Sequence, residues 1–259
     1  MEEIRFIFWE AMKTVALAFL ALLCAKAIGG LRVRCGPGET RSRSWRIVRG
    51  ALYCILLTLV AAGALSIGRD VAAELYFTAS QNNLDRSELP KAYNNAWSAI
   101  RLRPGVLRYW QELAEAKLLQ HQFRSMLEDQ GALRSLGGGR LEETDALRCA
   151  WAQFFLGQYE QVISVTQELI QNNKYYTAPY VLQGDAFLAL KKNPDAERSF
   201  LGVLQILPSQ MDAVAGLAHV YFLMNDTPRA LAVLNETARY PFPPEARKRF
   251  ASLRALYAQ

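Results

Sequence analysis

The chain has 259 residues, 51% of them hydrophobic and 21% charged, with a formal charge of +6, enough for one sizeable domain and a short extra module. The charge excess is local: residues 1–68 carry nine Lys or Arg against four Asp or Glu, whereas residues 69–259 carry twenty-one against twenty. That balance argues against a nucleic-acid surface over the larger part of the chain.

From the amino terminus, the first apolar run is uncharged only between Lys13 and Lys26. If both lysines snorkel to the interface, it makes a membrane span over about 14–31. A cleavable signal peptide is the competing reading, but the Met-Glu-Glu start is acidic and Lys26 interrupts the end of the run. The second run, Gly50 to Gly68, holds nineteen residues without a charge between Arg49 and Arg69, and at about 1.5 Å per residue it just crosses a hydrocarbon core of roughly 30 Å. Residues 1–69 are therefore expected to form a transmembrane helical hairpin, with spans at about 14–31 and 50–68. The basic loop between them holds Arg32, Arg34, Arg41, Arg43, Arg46 and Arg49, and it is expected to face the cytoplasm. Everything after Arg69 then lies outside the membrane, in the periplasm of a bacterium.

Beyond the second span a period of thirty-four residues takes over. Its clearest unit starts at Thr177: Tyr180, Gly184 and Phe187 mark one helix, Ala196, Phe200 and Val203 a second, and Pro208 ends it. One step forward places Val214, Leu217, Ala218 and Tyr221, then Ala230 and Leu234, before Pro241, Pro243 and Pro244. One step back places Cys149 and Ala150, the turn Gly157-Gln158-Tyr159, Val162 and Leu169. A further unit begins near Leu107 with Trp110, Leu113 and Ala114, and Gly137-Gly138-Gly139 absorbs two extra residues in a loop. In the earliest unit Ala92, Ala96, Ala99 and Pro104 make a good second helix, while the first helix continues from the second span. The pattern predicts units at about 73–106, 107–142, 143–176, 177–210 and 211–244, and an amphipathic cap over 244–258.

This pattern of small, aromatic and proline positions resembles the tetratricopeptide repeat (TPR) family. The resemblance implies an all-α protein: the amino-terminal two-helix transmembrane hairpin is followed by a TPR-like α-solenoid over 70–259 with a carboxy-terminal capping helix. Each helical hairpin is too small to bury its own apolar face, so stacking makes one continuous core. In that family the first helix of each hairpin lines a concave surface. The corresponding positions here are Arg108, Gln111, Glu115, Leu118 and Leu119, then Leu147, Trp151, Phe154 and Phe155, then Val181, Asp185 and Leu188, then Asp212, His219, Phe222 and Leu223.

Such a wall suits an amphipathic helix or a hydrophobic segment of another protein. The alternative is that some of these side chains pack against the amino-terminal helices or the cap. No lysine occupies the inward set, so the basic clamp by which some relatives hold an acidic peptide terminus is not expected. Catalysis has no support either. The two histidines, His121 and His219, lie far apart with no nucleophile motif beside them, and no phosphate-binding loop occurs. Cys24, Cys35, Cys54 and Cys149 form no C-x-x-C pair; neither cofactor nor metal is expected. The sequence thus predicts a membrane-anchored scaffold that binds proteins and assists assembly of a cell-envelope complex. It sits in a bacterial inner membrane with its repeats in the periplasm, its partners being proteins and the lipid bilayer. A structural subunit held in a membrane complex mainly through its hairpin is the alternative. The arrangement is similar to the cytochrome c maturation proteins that join two spans to a periplasmic TPR domain, although their cytoplasmic segment is long and this loop is short.

Overall fold

The computed structural model describes residues 40–236 and 240–258, and over these it contains helices and no strand. The expected first span, 14–31, and the loop arginines Arg32 and Arg34 lie outside the described residues. The first described helix, α1, runs Thr40–Asp85, 46 residues, or roughly 70 Å at 1.5 Å per residue. It starts ten residues before the expected span, so the expected basic loop is helical over 40–49. No glycine or proline stands between Gly38 and Gly50 to break it.

Two different environments share α1. Leu52, Leu57, Leu59 and Leu65 are exposed, and none of the most apolar window is buried within the protein. Among the described residues this is the one helix long and apolar enough to cross a membrane. After Arg69 the helix turns amphipathic and buries Ala73 and Ser80 against α2 (Leu89–Leu102). Ser80 Oγ donates to the Ala92 carbonyl at 2.9 Å, an Arg69 guanidinium nitrogen donates to the Leu102 carbonyl at 2.8 Å, and Arg103 pairs with Asp70 at 3.2 Å. The end of α1 thus pairs with α2 as a helical hairpin.

The chain divides into two compact units, one ending at Tyr109 and the other running Trp110–Gln259. Helix α3 (Leu107–Leu119) begins in the first unit. There Arg108 pairs with Glu74, and the Tyr109 hydroxyl donates to the same carboxylate.

The second unit continues with α4 (Phe123–Glu128) and α5 (Gln130–Leu136), split at Asp129, then α6 (Glu143–Phe155), α7 (Tyr159–Asn172), α8 (Thr177–Ala189), α9 (Asn193–Ile206), α10 (Met211–Leu223), α11 (Thr227–Glu236) and α12 (Pro244–Tyr257). From α6 onward, helices touch those one or two places along the chain, which is the stepwise stacking a solenoid requires.

The repeat is also written in the backbone. Ser87, His121, Gly157, Lys191 and Asn225 all have positive φ, at intervals of 34, 36, 34 and 34 residues. At each, the residue that follows donates its N–H to a carbonyl five positions back, as from Gln158 to Gln153 and from Lys192 to Phe187, both at 2.9 Å. These are Schellman ends joining the two helices of a hairpin. Between hairpins the linkers have four residues after Leu102, Asn172 and Ile206, but six after Leu136. The two extra residues of the longer interval sit in the linker that holds Gly137-Gly138-Gly139.

Packing shows why small residues recur. The ring of Phe200, fully buried, lies between two first helices: a Cβ built on Gly184 would come within 2.7 Å of it, and one on Gly216 within 2.5 Å. Ala150 and Ala218, in phase with Gly184, are fully buried. The cap α12 adds Ala246, Phe250 and Tyr257 to the core formed by α9, α10 and α11, so the last hairpin does not face water alone.

Candidate functional site

The inward positions predicted from the pattern fall in register on α3, α6, α8 and α10. Glu115, Trp151, Asp185 and His219 occupy one equivalent position, and Gln111, Leu147, Val181 and Ala215 another, separated by the same 36, 34 and 34 residues as the turns. Their surroundings differ along the row, and the side chains fall into three groups.

At the amino-terminal end of the second unit the row is polar and internally satisfied. Asp145, 1% exposed, accepts from Gln111 at 2.9 Å and from Arg148 at 2.8 Å. Arg148 also reaches Glu115 at 2.9 Å, and Gln111 donates a second bond to Glu142 at 2.9 Å. Gln111 and Glu115 are therefore tied to α6 and the loop before it. The ladder between α3 and α6 depends on Asp145 and Arg148, which the sequence does not flag because their partners lie more than thirty residues away. Leu118 is half-buried and Leu119 exposed. Arg108 belongs to the first unit, where its guanidinium also sits over the Phe77 ring at 5.2 Å.

In the middle, α6 carries an aromatic cluster. Phe155 is 53% exposed and stacks on Phe123 with centroids 4.7 Å apart. Trp151 lies 5.9 Å from Phe155 and 6.0 Å from Phe154, and Phe154 meets Tyr159 at 5.4 Å. Leu147 and Val181 sit deeper, each 8% exposed and packed into the cores beneath. Leu188 is half-buried.

At the carboxy-terminal end the cap lies over the row. Tyr257 stacks on Phe222 at 4.3 Å, and its hydroxyl is 3.3 Å from His219 Nδ1. Arg249 pairs with Asp212 at 3.0 Å. The cap therefore touches His219, Phe222 and Asp212, yet all three keep exposed surface, as does Leu223. Between cap and aromatic cluster opens a cavity of about 440 Å³, lined by Trp151, Asp185, Asp212, His219, Arg249 and Tyr257 among others. Burial, followed by the negative charge of Asp212, pushes the Asp185 carboxyl up to about 6, against the opposing pull of Arg249.

Other reactive groups are quiet. The Cys149 thiol is buried and pushed up to about 11, by desolvation and then by Asp145, so little of it is the nucleophilic thiolate. Among the described residues no three His, Cys, Asp or Glu side chains are grouped to hold a metal ion. His121 holds a positive-φ turn position and packs at 5.6 Å on Phe123.

No family model and no curated protein matches the chain. Solved structures do. MamA (residues 41 to its end) from Desulfovibrio magneticus RS-1 aligns with a TM-score of 0.59 at 14% identity, covering 65% of this chain and 94% of that one. TTC0263, a thermophilic TPR protein of Thermus thermophilus, aligns with a TM-score of 0.56 at 18% identity over 70% and 98%. YrrB, described as a TPR protein with an unusual peptide-binding site, gives 0.50 at 14% identity over 62% and 82%. At these identities the likeness concerns the fold, and the fold of the repeat region is TPR-like.

Proposed function

We propose that this chain is a membrane-anchored, non-catalytic scaffold whose repeats hold a segment of another protein in the groove formed by α6, α8 and α10. The carrying observation is the Trp151, Phe154 and Phe155 cluster. It places an aromatic surface on the first-helix row: Trp151 and Phe154 rest on the core beneath, and Phe155 is more than half exposed. Aromatic anchors of this kind carry much of the affinity of protein interfaces. The peptide-binding site described for YrrB supports the same use of the fold.

The anchor is the two-helix hairpin, with spans at about 14–31 and 50–68; the uncovered apolar stretch of α1 supports its second half. The excess of arginine before Arg49 favours a cytoplasmic loop and a periplasmic repeat domain at a bacterial inner membrane. Tethering there raises the effective concentration of a weakly held partner without any new contact. That property suits the assembly or steadying of a cell-envelope complex. The near-neutral repeats, twenty-one basic against twenty acidic residues over 69–259, give nucleic acid no attractive surface.

A second reading, a structural subunit held through its hairpin, draws on Ala61, Ala62, Gly63 and Ala64, which permit close helix packing in lipid. Crosslinking in membranes followed by mass spectrometry separates the two. Loss of the partner on Trp151→Ala, with the membrane hairpin intact, supports the groove. Retention with Trp151→Ala but loss on removal of residues 1–68 supports the subunit.

A further inference from the structure

The cavity between the aromatic cluster and the cap holds a carboxylate, Asp185, that feels Arg249 at a distance without a hydrogen bond to it. Asp212 is taken up by Arg249 at 3.0 Å, and His219 by Tyr257. Asp185 projects from α8 into the same space, and among the described residues no side chain or backbone group hydrogen-bonds it. Its environment resists the negative charge, as the upward shift of its carboxyl records. A carboxylate that is half-buried and only partly solvated gains from a cation brought beside it. The adjoining wall is the indole of Trp151, a surface that attracts cations.

We propose that this cavity receives the side chain of one lysine or arginine from the partner's segment, with Asp185 as counter-charge and Trp151 as the flat wall. This rests on the groove reading above and gives the partner a chemical signature: a basic residue beside apolar ones, the apolar ones seated on Phe154 and Phe155. Charge complementarity selects this occupant. The cavity holds two carboxylates and one guanidinium, so one further cation balances it, whereas an acidic terminus would meet Asp185 and Asp212. The volume, about 440 Å³, accommodates a long basic side chain with water.

The test pans a random peptide library, displayed on phage, against the full chain in lipid nanodiscs. The wild type is expected to enrich lysine or arginine flanked by apolar residues about tenfold, the factor corresponding to about 1.4 kcal/mol. Asp185→Asn, nearly isosteric, is expected to lose the basic preference and keep the apolar one. A wild-type selection without basic enrichment overturns the proposal, and so does a basic enrichment unchanged by Asp185→Asn. In either case, apolar peptides that disappear on Trp151→Ala leave the groove reading standing. If no peptide is enriched, or if Trp151→Ala leaves the selected set unchanged, both readings fall.

Discussion

Gly216→Ala tests the packing argument most directly, because helix propensity and close packing push it in opposite directions. In an unconstrained helix interior the change stabilises by about 1 kcal/mol. Here the new Cβ would lie 2.5 Å from Phe200 Cζ and 2.6 Å from Cε1, roughly 1 Å inside ordinary contact. Phe200 has no exposed edge to retreat to, and Gly184 closes the other side of its ring at 2.7 Å. Overpacking of this kind costs about 1–3 kcal/mol, so the net expectation is a loss of about 0–2 kcal/mol. Phe200→Leu removes the far edge of the ring. In that background the same Gly216→Ala change is expected to recover its propensity gain, which makes the coupling between the two sites about 2 kcal/mol. Urea unfolding of the full chain in detergent, followed by far-ultraviolet circular dichroism, measures all four corners of the cycle. If Gly216→Ala has the same effect with Phe200 and with Leu at that position, Phe200 is not the wedge described.

His121→Gly relieves a positive φ of 58° and is expected to raise stability by about 0.5–1 kcal/mol; a decrease in the urea midpoint contradicts the turn assignment. Lys117, buried with Asp129 as its ion-pair partner, also donates to the Ser125 carbonyl at 3.2 Å. Lys117→Met is expected to cost about 3–5 kcal/mol by stranding Asp129, with much of the loss restored in Lys117→Met with Asp129→Leu; no restoration excludes the stranded charge as the cause. Asp185→Asn has a pH signature. The folded carboxyl titrates at about 6 and the reference carboxyl at 3.8, so the native state holds the proton more tightly. The contribution of Asp185 to stability is therefore fully present below about pH 4 and is lost as pH rises through about 6. The asparagine variant is expected to be more stable by about 3 kcal/mol near pH 7.5 and equal near pH 4; a constant difference at both pH values refutes the assignment.

The repeat was legible because each hairpin needs small residues where helices touch and an aromatic or aliphatic wedge beside them. Ala150, Gly184 and Ala218, with Phe200, carry that requirement at a fixed spacing. The two-residue excess was legible too, since three consecutive glycines mark a loop. The beginning of α1 was not: arginines before an apolar run read as a flanking loop, yet nothing there breaks a helix, and it extends back to Thr40.

The identity of the inward row followed from the period alone, whereas its condition did not. Whether a side chain on that row is free depends on groups far along the chain: Arg148 for Glu115, Asp145 for Gln111, Tyr257 for Phe222. Local sequence determines which residues a helix presents to each side, because periodicity is a property of neighbours a few positions apart. Only the tertiary structure decides which of them a distant element meets and how much of each then stays exposed, as more than half of Phe155 does beside Phe123.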